Sequence, residues 1–220
     1  TEWAVFNMQN IIANNGNYDF AKILKSWKKL AELESEIRGS ISIVGALHNI
    51  RKGIITPISG RDNPHYFDDS AMIRSIPVIL ANYSDLDKII YFVSEDASIT
   101  NSLEGLETTQ IYAEIMFHCL NGEGYEAYID AISEKIFNSK WIDSLVKRSL
   151  DLFLKSESLF DLVPLLNNEL VDHSYNYGNG SPINLAIIIA LLKYFDDNFS
   201  ELILTANSIT KAADSVTPLI

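Results

Sequence analysis

The sequence predicts an all-α fold. Apolar residues recur at helical spacing along most of the chain, and caps and stops punctuate those stretches. The runs with strand character, residues 76–80 and 187–189, lie inside longer helical patterns and are read as helix.

Each element has its own warrant. From residue 3 to residue 13, Val5, Phe6, Met8, Ile11 and Ile12 form an apolar stripe, and Asn14-Asn15-Gly16-Asn17 ends it through left-handed turn chemistry. Asp19 then caps a helix running from Phe20 to about Glu36. A third helix spans residues 41–51 and stops at Gly53. Residues 54–67, with Pro57, Gly60, Asn63 and Pro64, read as a polar loop of the length that often carries function. Asp68-Asp69-Ser70 opens the next helix, which runs to Ala81. Ser84, with Asp87 three residues on, resembles a capping box for a helix holding Leu86, Ile89, Ile90 and Phe92. Another helix covers residues 103–120 and is stopped by Asn121-Gly122-Glu123-Gly124.

Helical patterns follow at residues 125–137, 141–154 and 158–171. Residues 172–181 form a second long loop, with Tyr175, Tyr177 and Gly178. Pro182 suits the first turn of a helix that is apolar on all sides from Leu185 to Leu192, which predicts a central position. Two last helical stretches, residues 199–206 and 212–217, precede Pro218. Leu219 and Ile220 follow with no polar tail, and both ends read as cuts through a larger domain. The expectation is one domain over residues 1–220, lacking its first and last helices.

Composition narrows the function classes. The chain has 220 residues, enough for one sizeable core, and is 47% hydrophobic and 21% charged. No apolar run reaches the roughly 20 residues that cross a bilayer. A net charge of −12 argues against general binding to phosphate backbones. The lysines between Lys22 and Lys29 fall at helical spacing among Ile23, Leu24, Trp27 and Leu30 and read as a solvated helix face. A single cysteine, Cys119, allows no internal disulfide and fits a reducing, cytoplasmic setting; beside His118 it reads as a buried helix position. P-loop, GxGxxG, HExxH and GxSxG patterns are absent. His48, His65, His118 and His173 share no ligand spacing.

Four stretches carry a resemblance. Thr1-Glu2-Trp3-Ala4 opens an amphipathic helix. Asp68-Asp69-Ser70-Ala71-Met72-Ile73-Arg74-Ser75-Ile76-Pro77 opens another. Ser98-Ile99-Thr100-Asn101-Ser102 follows a capped helix, and Ala206-Asn207 leads to Ala212-Ala213-Asp214-Ser215-Val216. In order and spacing these resemble motifs of the ADP-ribosylglycohydrolases. Thr1 matches the threonine of that family's Asp-Asp-Thr motif, whose aspartates would lie before residue 1. Ala71, Arg74 and Pro77 match the family's Gly-Asn-Gly-Ala-Ala-Met-Arg-x-x-Pro stretch, with Asp68, Asp69 and Ser70 in place of its glycines and asparagine. Thr100 corresponds to the threonine of a Thr-His segment. Asp214 and Ser215 match the closing motif, where Ala212 replaces the first aspartate and Thr210 and Lys211 replace the glycines.

The resemblance implies a compact orthogonal multi-helix bundle and hydrolysis of an ADP-ribosyl or related N- or O-glycosidic bond, with Mg²⁺ assisting attack by water. It assigns Thr1, Asp214 and Ser215 to metal, and Asp68, Asp69, Ser70, Met72 and Thr100 to substrate. Hard oxygen ligands suit Mg²⁺. Loss of a carboxylate at Ala212 weakens a centre of two ions, and the neighbouring Lys211 ammonium is a candidate substitute for one of them. Acidic Asp68 and Asp69 repel a diphosphate, so ribose hydroxyls are their expected partners. The implied partners are an ADP-ribose-like small molecule or an ADP-ribosylated protein, with neither nucleic acid nor membrane. Two other uses of the fold stay open: a binding module for a nucleotide-like ligand or protein that has lost the chemistry, and a purely structural helical part of a larger protein.

Overall fold

Every regular element among the described residues is helical. The computed structural model describes residues 2–33, 38–122, 125–171, 180–194, 198–210 and 212–220. These gather into two units, Thr1–Gly122 and Glu123–Ile220, each with its own core.

The first unit holds α1 (Glu2–Ala13), α2 (Phe20–Glu32), α3 (Ile41–Arg51), the short α4 (Ile58–Arg61), α5 (Ser70–Ala81), α6 (Leu86–Ala97) and α7 (Leu103–Asn121). α5 is its hub and packs against α1, α6 and α7, while α2 packs on α3. α2 buries Ile23, Trp27 and Ala31, one residue per turn, and leaves its lysines outside as expected. Asp19 caps it by accepting from the Lys22 amide.

The second unit holds α8 (Tyr125–Ala131), α9 (Lys140–Lys155), α10 (Leu159–Glu169), α11 (Ser181–Lys193), α12 (Phe199–Asn207) and the one-turn α13 (Ala213–Val216). α11 is buried from Ser181 to Leu191 and packs against α8, α9 and α13. Each fully buried Leu or Ile in it contributes about 2 kcal/mol of transfer free energy. The central position expected for this helix is what the structure has.

Several expectations change. The buried face of α1 is Asn7 and Ile11, whereas Val5, Met8 and Ile12 are exposed. A polar residue takes the core position because both its amide hydrogens find acceptors there. α2 ends at Glu32, where Leu33 turns to extended backbone. The loop at residues 54–67 contains α4 and buries Ser59, Gly60 and Asn63. The cap of α6 is Asp85 rather than Ser84, accepting from the Lys88 amide. α8 gives way at Ile132–Glu134 to a 3-10 turn. Cys119 sits in the last turn of α7 but is exposed, not buried. The second long loop falls mostly at residues 172–179, outside the described residues, and His173 with it.

Candidate functional site

Three helices of the first unit begin at one cleft. Its volume is about 290 Å³, and Glu2, Trp3, Arg38, Gly39, Ser40, Ile43, Asp69, Ser70 and Ile73 line it. Glu2 and Trp3 are the first turn of α1. Ser40 is the cap of α3, and Ile43 lies in its first turn. Asp69 is the cap of α5, with Ser70 and Ile73 behind it. The amides of a first helical turn have no partner within the helix, and the helix dipole places positive potential there. Neither the Ser40 nor the Asp69 side chain accepts a capping hydrogen bond from the first-turn amides of its own helix. The start of α3 offers such amides to an anionic ligand, whereas at α5 Asp68 Oδ1 already accepts from the Ser70 amide.

The lining is chemically mixed. Carboxylates at Glu2 and Asp69 can accept from a ligand's hydroxyls. Arg38 supplies a guanidinium, which matches phosphate geometry. The Trp3 ring is held by its Nε1, which donates to the Arg38 carbonyl at 3.0 Å, and by stacking on Trp27 at 4.6 Å between centroids. Gly39 leaves room for this arrangement, since a Cβ there would come within 2.7 Å of Ile43 Cγ2 and 3.2 Å of Trp3 Nε1.

Behind the cleft the Asp68–Ser70 turn is tied down. Asp68 Oδ1 accepts from the Ser70 amide at 3.1 Å and from the Ser70 hydroxyl at 2.6 Å. The Ser70 hydroxyl is in turn 2.9 Å from that of Ser42, which lies 3.0 Å from that of Ser40. Because Ser70 spends its hydrogen on Asp68, it accepts from Ser42. The other oxygen of Asp68, Oδ2, is buried and has no hydrogen-bond partner.

The sequence expectations map onto this geometry unevenly. Asp69 and Ser70 line the cleft, next to the residues that follow Thr1; Thr1 itself lies outside the described residues. Asp68 is buried one layer behind them. Met72 is fully buried in α5, and Thr100 is fully buried in the turn before α7. In the second unit Asp214 is exposed and Ser215 buried, on the single turn of α13. Lys211 lies outside the described residues. His48 is exposed, while His65 and His118 are partly buried and scattered.

Arg38, Gly39 and Ser40 did not stand out in the sequence. A serine directly before a helical stripe was the available signal.

The donor set speaks to the metal. Ala212, fully buried, stands at the first acidic position of the closing motif and offers no side-chain oxygen. Among the described residues no group of three His, Cys, Asp or Glu side chains comes together to hold an ion. Two close dications need several carboxylates to offset their repulsion. The described residues therefore do not fit a two-ion centre. Asp214 and Ser215 offer one carboxylate and one hydroxyl, the hard-oxygen types Mg²⁺ takes.

Comparison with protein families gives a match over residues 1–217, to the family described as ADP-ribosylglycohydrolase. It runs through both units. No curated protein and no solved structure matches the chain.

Proposed function

The chain belongs to the ADP-ribosylglycohydrolase family, and on that premise we propose that it hydrolyses the glycosidic bond joining ADP-ribose to an acceptor, with the ligand held in the cleft where α1, α3 and α5 begin. The observation that carries this reading is the convergence of three helix starts, Arg38 and two carboxylates on one concavity. An ADP-ribosyl group needs such a mixture. Its diphosphate meets the first-turn amides of α3 and the Arg38 guanidinium. Its ribose hydroxyls donate to Asp69 and Glu2. The Trp3 ring supplies an apolar face for a sugar or base.

In the reaction, water attacks the anomeric carbon of the ribose. The bond from that carbon to the acceptor's nitrogen or oxygen breaks. The water's hydroxyl stays on the sugar, and its proton goes to the departing group. The residues of the cleft bind and orient the sugar for this step and exclude bulk water from it. If Mg²⁺ binds, the Asp214 carboxylate and the Ser215 hydroxyl would be its oxygen ligands.

Calorimetry with ADP-ribose, with and without Mg²⁺, together with release of ADP-ribose from an ADP-ribosylated protein, tests the proposal. Micromolar or tighter binding is expected, corresponding to about 8 kcal/mol or more. Arg38→Ala should weaken it about tenfold, the loss of one charge-assisted hydrogen bond. Binding without release would move the chain to the ligand-binding alternative. Neither binding nor release would sink the proposal.

A further inference from the structure

The strongest polar feature outside the cleft is a fully buried ion pair. Arg74 Nε donates to Asp96 Oδ2 at 2.6 Å, and both side chains have zero exposure. Arg74 Nη2 donates to the Asp96 carbonyl at 2.9 Å, and the amide of Asn7 donates to Asp96 Oδ1 at 2.9 Å and to the Arg74 carbonyl at 3.1 Å. Taking two charges out of water is costly, and such a pair adds little stability over well-packed hydrocarbon. It does hold one geometry firmly, because every departure leaves a buried charge unpaired.

Two paths lead from this pair to the cleft. On one, Arg74 Nη2 donates to Thr100 Oγ1 at 3.0 Å and Thr100 Oγ1 donates to Asn101 Oδ1 at 2.6 Å. Asn101 Nδ2 then donates to the Asp68 carbonyl at 2.7 Å. The donors all point one way, and the path ends on the turn that presents Asp69 and Ser70. On the other, the Arg74 guanidinium lies over the Trp27 ring at 5.3 Å, and Trp27 stacks on Trp3.

Asn101 is also gripped by backbone. A Cβ on Gly105 would come within 2.6 Å of Asn101 Nδ2, and one on Gly60 within 2.6 Å of the Asn101 carbonyl oxygen. Neither glycine leaves that side chain or peptide space to shift.

We propose that Thr100 and Asn101 are positioning residues, which carry the register of the buried Arg74–Asp96 pair to the Asp68–Ser70 turn and so hold the ligand-facing wall of the cleft in place. Thr100 is fully buried and both of its hydroxyl's bonds are internal, so it acts through its neighbours and does not touch the ligand. The inference rests on the proposed cleft for its consequence in function, but not for its structural content.

The test uses the full chain with Thr100→Val, which keeps shape and removes the hydroxyl. Thr100→Ser serves as rescue. Val78→Ala is the control, because it opens a cavity in α5 of the same core without touching the path. Two readouts are taken: amide hydrogen exchange at residues 68–70 and calorimetric affinity for ADP-ribose. Thr100→Val is expected to speed exchange at 68–70 and to weaken binding about tenfold, the scale of a small misplacement of a binding group. Thr100→Ser should restore both. Val78→Ala should lower global stability and move neither. If Thr100→Val does not fold, Thr100→Ala repeats the break with less bulk. Unchanged exchange at 68–70 in the folded variant overturns the proposal, as does equal loosening in Val78→Ala. If the native chain does not bind ADP-ribose, the proposed function fails, while the exchange readout still decides this inference.

Discussion

The first unit packs around a charged pair and a run of amides and hydroxyls, whereas the second packs around a helix of almost unbroken hydrocarbon. In the first, Asn7, Ser42, Asn63, Asp68, Arg74, Asp96, Thr100 and Asn101 are all buried, and most of their polar atoms are satisfied by one another. In the second, α11 is sealed by Leu185, Ile187, Ile188, Ile189 and Leu191. A hydrocarbon core tolerates repacking, because dispersion and burial are not directional. A polar core does not, because each hydrogen bond fixes an angle as well as a distance. A cleft that must hold several ligand groups at set positions gains from the second kind of core, and the described cleft is built on it.

Removing one partner of the buried pair is the hardest test of this contrast. Asp96→Ala leaves the Arg74 guanidinium uncompensated in the core. A loss of about 4 kcal/mol in unfolding free energy is expected, with ADP-ribose binding lost too. Urea unfolding followed by calorimetry checks both. A loss below about 1 kcal/mol, of the size seen at an exposed pair, would show that the polar core is not what holds the first unit together.

Ile188→Ala makes the opposite cut. The side chain is 1% exposed, so the change leaves a cavity and costs about 3 kcal/mol. Affinity for ADP-ribose should stay within about twofold, since no directional contact is broken. The same two measurements apply. If affinity falls in step with stability, the difference between the cores has no bearing on the cleft.

The sequence made these two cores unequally legible. α11 announced itself, because an apolar residue at nearly every position of a capped helix has only one place to go. Helix existence was equally readable wherever a cap or stop was local, as at Asp19 and Gly122. The polar core was not readable. Arg74 and Asp96 stand on different helices, 22 residues apart, and nothing in their local surroundings marks them as partners. Met8 fits the apolar stripe of α1 and Asn7 does not, because an amide does not look like a core residue until its two acceptors are known. The Asp69–Ser70 end of the cleft came through its family motif, whereas Arg38 and Ser40 belong to no motif and converge only when three helix starts meet. Thr100 is visible in the sequence as a motif position, whereas its full burial is not.

The smallest effect concerns Tyr18, which lies beside the buried pair and is silent at neutral pH. Burial first, and the Asp96 charge second, hold its phenol above the ordinary value of 10.0. Burial does the same for Tyr112 in α7. A group whose folded value is raised contributes stability that is whole below the unfolded value and drains away as pH climbs through it, because only the unfolded chain can ionise. Each such tyrosine therefore costs about 1.4 kcal/mol for every pH unit above 10. Urea unfolding against pH should show a plateau at neutral pH and a decline on the alkaline side. Tyr18→Phe should leave the plateau nearly where it was and make the decline shallower. A decline of unchanged steepness in that variant would mean that Tyr18 reaches water in the folded chain, and that the core around the Arg74–Asp96 pair is looser than the hydrogen bonds depict.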